Sequence, residues 1–152
     1  MTEHQSFEID LIIPASPEQI FDVMTDSAKK QKWLFGSGGI EVVSFNSDLR
    51  TGGVERVEFR FGDGAVIFAE THYKEVVPCQ SIRTVYSMGE NGVDDSISHT
   101  YLTLTPIGDG TTRLLHQEII ILRSQKTTAE QRADTMRYSY VTLGTMAQNN
   151  VL

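Results

Sequence analysis

Near the end of the chain the side-chain period changes, and that change constrains the fold more than any other feature. From Ile40 to Leu122 apolar and polar residues mostly alternate, as in strands. Beyond that stretch Ala129, Ala133, Met136, Tyr140, Leu143 and Ala147 recur at spacings of four and three. Such spacing puts them on one face of a long helix. Thr127-Thr128-Ala129-Glu130 reads as the capping box that starts it. Many strands and one long helix must therefore bury their apolar faces against each other, which makes the class α+β.

The rest of the chain fills in the order. Phe7, Ile9, Leu11 and Ile13 alternate with Glu8, Asp10 and Ile12 as a first strand. Ser16-Pro17-Glu18-Gln19 then supplies a cap, a proline suited to the first helical position and the far side of a capping box. Asp26 caps a second short helix running to Leu34 and ending at Gly36. Gly36-Ser37-Gly38-Gly39 reads as a mobile loop. Strands follow over 40–45, 54–61, 65–77, 82–88, 97–105 and 111–122. Gly62-Asp63-Gly64 and Pro106-Ile107-Gly108-Asp109-Gly110 mark hairpin turns, while 89–95 reads as a polar loop. Short turns between consecutive strands imply an antiparallel meander. Parity is ambiguous at one place, because Lys74 and Glu75 can both face out only across a bulge.

With 152 residues and no repeat or low-complexity linker, the chain reads as one domain over residues 1–152. Cys79 is the only cysteine, so no internal disulfide can form, and a reducing, cytoplasmic setting is expected. The first residues lack the basic and apolar regions of a signal peptide. No run reaches the ~18 apolar residues of a membrane span. The net charge of −7 argues against nucleic-acid binding, since Arg50, Arg56, Arg60 and Arg83 are scattered rather than gathered into a stripe. No motif for a metal or other cofactor is present, so none is expected.

Ala15-Ser16-Pro17-Glu18-Gln19-Ile20-Phe21, followed by Thr25-Asp26 and Trp33, resembles the opening of the SRPBCC (START/birch-pollen-allergen-like) superfamily. The similarity is nearest to its bacterial branch related to the C-terminal domain of the activator of the heat-shock-protein-90 ATPase. Asp48-Leu49-Arg50-Thr51-Gly52-Gly53, Glu75-Val76-Val77-Pro78, Leu104-Thr105-Pro106 and Gly108-Asp109-Gly110-Thr111 follow in the matching order. The resemblance covers about residues 7–147. It implies a helix-grip fold, with a curved antiparallel sheet wrapped around the C-terminal helix and two short helices after the first strand. It also implies an apolar cavity for a hydrophobic small molecule, a lipid or an aromatic metabolite. One departure is that Ser139-Tyr140 stand near the place where the family commonly carries a tryptophan.

Parity assigns residues to that cavity. If Arg83 faces solvent, Ile82, Thr84, Tyr86 and Met88 face inward. If Arg113 faces out, Leu114, His116, Glu118 and Ile120 face in. The expected ligand-binding set is Trp33, Thr84, Tyr86, Met88, Leu114, His116, Glu118, Met136, Tyr140 and Leu143. His116 and Glu118 share a face and are the candidate acid–base pair, although buried polar groups more commonly just satisfy one another. Glu70 and His72 have the same spacing, and with His99, His116 or Glu118 they are the only candidates for a metal site. Trp33 either closes the pocket or anchors its helix. Cys79, with no base at a motif-like spacing, is poor evidence for a nucleophile.

Three functions follow as expectations: a binder of a hydrophobic small molecule, a cyclase- or hydrolase-type enzyme using His116 and Glu118, and, from the family name alone, a partner of a chaperone ATPase. Closed symmetric dimers are the commonest oligomers, so a homodimer is the base-rate expectation for assembly.

Overall fold

A computed structural model describes residues 3–36, 38–124 and 126–152. The elements are β1 (Glu3–Ile13), α1 (Pro17–Thr25), α2 (Ser27–Phe35), β2 (Ile40–Ser47), β3 (Val54–Phe61), β4 (Ile67–Val77), β5 (Ser81–Glu90), β6 (Val93–Pro106), β7 (Thr112–Leu122) and α3 (Ala129–Gln148). All seven strands join one antiparallel sheet in the order β1-β7-β6-β5-β4-β3-β2. The meander from β2 to β7 is the local pairing that short turns dictate. The β1–β7 pair joins Glu3 to Leu122 and Ile13 to Thr112, and no local signal announces it.

The helix starts follow their caps. Ser16 Oγ accepts from the Gln19 N–H and Gln19 Oε1 accepts from the Ser16 N–H, so α1 opens on a complete capping box. Asp26 accepts from the Lys29 N–H and starts α2, which ends at Gly36 as expected. The cap of α3 lies one residue later than the sequence suggests. Thr128, not Thr127, is the N-cap, and it exchanges hydrogen bonds with Gln131 rather than with Glu130. The Ala129 N–H is meanwhile held by Gln5 Oε1 of β1, a distant partner that favours this start.

Residues 89–95 are not a loop. β5 and β6 run up to a two-residue turn at Asn91 and Gly92, both with positive φ (55° and 74°). That conformation suits the asparagine–glycine turn of a tight hairpin. Gly89 sits in a bulge opposite Asp94, where any side chain would collide with the Val93 carbonyl. A second bulge, between Tyr73 and Glu75, resolves the ambiguous parity of β4: Lys74 and Glu75 both face out, and Tyr73 faces in. Ser37, the centre of the expected mobile loop, lies outside the described residues.

Helix α3 packs against α1, α2 and β1. The core beneath it contains Ile9, Ile13, Ile20, Val23, Met24, Trp33, Leu102, Leu104, Leu114, Tyr140, Leu143 and Ala147. Leu114 and Leu143 are fully buried there, so they pack as core. Along β7 the inner residues are buried and the outer ones largely exposed, the clean alternation of a sheet covered on one side. Near the Met88 end of the sheet that alternation fades. Ile67, Ala69, Thr71, Tyr86 and Met88 are only half-buried although their register puts them on the concave face. Among the described residues no helix is long and apolar enough to cross a membrane.

Candidate functional site

The concave face carries an unusual density of polar side chains. On β6 the inward residues Ser96, Ser98 and Thr100 are buried, while the neighbouring Ile97 and Tyr101 are exposed. Hydrophobicity alone would orient this half of the strand the other way. Thr84 of β5 shares a hydrogen bond with Thr100. His116 and Glu118 of β7 are 6% and 3% exposed. Buried polar groups in such numbers are more informative than exposed apolar ones.

Tyr140, His116, Glu118, Tyr86, Arg132 and Ser96 form one continuous chain of hydrogen bonds. Glu118 Oε1 lies 2.8 Å from His116 Nε2, and its Oε2 accepts the Tyr86 hydroxyl at 2.6 Å. With the carboxylate accepting, Nε2 donates. Nδ1 lies 2.6 Å from the Tyr140 hydroxyl, from which it accepts in the tautomer protonated at Nε2 alone. At the other end Arg132 of α3 donates from Nη1 to the Tyr86 oxygen at 3.2 Å and from Nη2 to Ser96 Oγ at 2.6 Å. Ser98 Oγ is fully buried and has no well-formed hydrogen bond. It lies close to the Tyr86 side chain. Phe7 stacks on the His116 ring with centroids 5.6 Å apart, which fixes the ring plane.

Electrostatics keep both phenols protonated. Burial, then the Glu118 charge, raises Tyr86 above the ordinary phenol range, against an opposing pull from Arg132. Burial, then the Glu118 charge and the neighbouring Tyr86, raises Tyr140 in the same way. Tyr140 is therefore a donor rather than a nucleophile. Both nitrogens of His116 and both oxygens of Glu118 are engaged inside the protein. Arg132, with five N–H groups, gives two hydrogen bonds to named partners and is only partly buried.

The expected site residues divide accordingly. Thr84, Tyr86, His116, Glu118 and Tyr140 come together through this chain and its neighbours. Trp33 is buried against Tyr140, with ring centroids 6.1 Å apart, and its indole N–H donates to the Val23 carbonyl, so that N–H is already used. Met88 and Met136 are half-buried, while Leu114 and Leu143 belong to the core. Arg132, Ser96 and Ser98 were not anticipated. Arg132 lies three residues after Ala129 and four before Met136, a helical spacing from which its place on the inner face was readable.

The alternative metal set does not converge. His72 and His99 are exposed, and Glu70 shares the convex face with them, whereas His116 and Glu118 point inward. Glu70 instead binds His72 at 2.8 Å and Arg56 at 3.3 Å. Among the described residues no three His, Cys, Asp or Glu side chains are grouped to hold an ion.

A second buried cluster lies under α2. Lys30 Nζ meets Glu55 Oε1 at 2.6 Å and Tyr73 Oη at 3.0 Å. Tyr73 and Ser47 also donate to Glu55 Oε1, at 3.0 Å and 2.8 Å. Burial works against the Lys30 ammonium, but Tyr73, Glu55 and the hydrogen bonds to both raise it overall. Burial also works against the Glu55 carboxylate. Lys30 and three hydrogen bonds overcome that and lower it.

Two surface grooves are also present. One, about 680 Å³, runs between β1 and the first half of α3; the other, about 620 Å³, lies against the end of α3. Neither is lined by the residues expected to contact a ligand.

The family model described as "Activator of Hsp90 ATPase homolog 1-like protein" matches residues 14–146. Among solved structures the chain is similar to protein Mll3558 from Rhizobium loti, with 29% identity, a TM-score of 0.86, and coverage of 96% of this chain and 99% of that one. An uncharacterised protein from Rhizobium leguminosarum aligns at 21% identity and a TM-score of 0.87, covering 99% and 98%. Ara h 8.0201 shares the fold at 14% identity and a TM-score of 0.64, covering 97% of each chain. No curated protein matches.

Proposed function

This chain belongs to the Activator of Hsp90 ATPase homolog 1-like family, and from that premise we propose that it binds a hydrophobic small molecule with one polar group. The supporting observation is the uneven cover of the concave face. Helix α3 leans on α1, α2 and β1, and leaves inner residues of β4 and β5 half-buried beside a buried polar chain. Ile67, Ala69, Met88 and Met136 offer an apolar wall that methionine flexibility can reshape. Arg132, partly buried and with N–H groups beyond its two named bonds, offers the polar contact that orients a ligand. A carbonyl or hydroxyl fits this place better than a free carboxylate, because Glu118 lies next to Tyr86.

Binding is favoured over acid–base catalysis because the His116–Glu118 pair is saturated by Tyr140 and Tyr86. A general base needs its lone pair aimed at substrate. The single cysteine supports a cytoplasmic setting for this role.

Native mass spectrometry of the purified protein, followed by a thermal-shift screen of lipids and aromatic metabolites, tests the reading. A retained apolar mass, or saturable stabilisation growing as RT ln(1 + [L]/Kd), is expected, and Arg132→Met should weaken it. If no class shifts the midpoint and no mass is retained, the concave face is structural and the proposal fails.

A further inference from the structure

The convex face of the sheet carries an apolar patch that no other element covers among the described residues. We propose that a second copy of this chain covers it, in a weak two-fold dimer packed sheet against sheet along the seam between β6 and β7.

Register places the patch on neighbouring strands. Ile97 of β6 stands opposite Ile121 of β7, and His99 opposite Ile119. Val85 of β5 stands on the other side of His99, and Tyr101 lies two residues further along β6. Ile97, Tyr101, Ile119 and Ile121 are between 40% and 47% exposed, and Val85 is half-buried. Scattered exposed apolar residues are ordinary, but these are cross-strand neighbours, and such a patch marks an interaction surface. Elsewhere the same face is ionic, with Arg56 on Glu70 to one side and Arg113 on Asp10 to the other.

Symmetry selects the occupant. When a face meets its own copy, the two-fold axis lies in the plane between them, and each patch must be complementary to itself. The apolar residues centre on the β6–β7 seam. With the axis along that seam, β6 of one copy meets β7 of the other, and β5 meets β1. Ile97 then faces Ile121 of the second copy, His99 faces Ile119, and Tyr101 faces Gln117. In the row of Tyr101 and Gln117 the next positions outward are Arg83 on β5 and Glu8 on β1. The same operation therefore sets each Arg83 against the other copy's Glu8.

Arg83 and Glu8 are both exposed, and neither forms an ion pair within the chain among the described residues. Glu75 stands opposite Arg83 in register without pairing to it, and Arg113, which feels the Glu8 charge, is held by Asp10. Apolar contact along the seam supplies the attraction, while the two charge pairs fix the register. Acid and base at equal distances from the seam suit a second copy, which needs both at once. Curvature confines the contact to β5, β6, β7 and β1. Four strands about 4.8 Å apart over about seven residues span on the order of 450 Å². That is below the ~800 Å² per partner of a standard interface, so the dimer is a weak and transient one.

Sedimentation of the intact protein from about 10 µM to about 1 mM should show a monomer–dimer equilibrium. Amide NMR shifts that grow with concentration should fall on β5, β6, β7 and β1. Arg83→Glu or Glu8→Arg alone makes both charge pairs repulsive and should raise the dimer Kd about tenfold. The double variant Glu8→Arg/Arg83→Glu exchanges the roles and should restore association, a rescue that a merely structural effect would not give. Ile119→Thr/Ile121→Thr, which keeps β-branched side chains, should remove the dimer with an unchanged circular dichroism spectrum. A monomer at the highest concentration, shifts elsewhere on the molecule, a double charge variant no better than the singles, or a dimer indifferent to the threonines would each overturn the proposal. The patch faces away from the internal polar chain, so Arg132→Met should leave the dimer intact.

Discussion

The two buried polar clusters are assembled from the same parts, a cation, a carboxylate and tyrosine hydroxyls, but they are closed to different degrees. In the Lys30–Glu55–Tyr73 cluster every named group turns inward, and the ion pair is nearly sealed from water. In the Tyr140–His116–Glu118–Tyr86 chain the last member, Arg132, comes from a helix turn that is only partly covered. The first cluster pins α2 to β3 and β4 and has no remaining reach. The second ends in donors beside half-buried apolar side chains. Enclosure therefore separates a polar cluster that holds the fold from one able to meet a ligand.

The comparison is broken most forcefully at the closed cluster. Lys30→Met or Glu55→Gln leaves one buried group without its partner, and each should destabilise by about 3–5 kcal/mol in chemical denaturation. The double variant Lys30→Met/Glu55→Leu should recover part of that loss, because no orphan charge remains. If the singles cost no more than an exposed pair, the cluster is wetter than its geometry implies.

Next in size is Glu118→Gln. Its amide nitrogen must face one of two donors, His116 Nε2–H or the Tyr86 hydroxyl. A loss of about 1–3 kcal/mol is expected, partly relieved if the imidazole changes tautomer. Nitrogen-15 NMR of His116 would report that change. Arg132→Met should cost less, about 1 kcal/mol or under, because the guanidinium is only partly buried. Its larger effect should be on ligand binding, and if stability falls as far as for Glu118→Gln, the open and closed clusters are not distinct.

The closed cluster also sets a pH window. Glu55 is lowered when folded, so its contribution is complete above the ordinary carboxyl range and is lost as pH falls through the folded value. Lys30 is raised, so its contribution is complete below the ordinary lysine range and is lost as pH rises through its folded value. Urea midpoints should therefore hold steady between about pH 5 and pH 9. In the Lys30→Met/Glu55→Leu variant the part of the acid and alkaline losses due to this pair should vanish.

The smallest effect is expected on the convex face. Arg113 holds Asp10 at 2.7 Å in the open, and Arg113→Ala should leave the thermal midpoint within error.

Much of this was legible along the chain. The capping boxes, the period-two strands and the inner face of α3 are local devices, each decided within about four residues, and they appear where the sequence puts them except at α3, whose box starts one residue later, on Thr128 and Gln131. The inward placement of His116, Glu118, Tyr86 and Thr84 also followed from parity, because Arg83 and Arg113 mark the wet side. The Asn91–Gly92 turn is a local signal too, but polar neighbours from Gly89 to Asp95 hide it in the sequence. The family was visible in the order and spacing of caps and turns, though no one motif is specific.

Other features belong to the tertiary structure alone. Lys30, Glu55 and Tyr73 come from three elements, and nothing near any of them announces the others. Ser96, Ser98 and Thr100 look like a wet face beside Ile97 and Tyr101. They face inward because β6 is fixed by its ladders to β5 and β7, and because Arg132 arrives from the far end of the chain to meet Ser96. Local periodicity and capping determine which segments are strands and helices, since those energies are settled between near neighbours. Which polar groups are buried together, and which end of the concave face stays open, is decided only when distant segments desolvate one another.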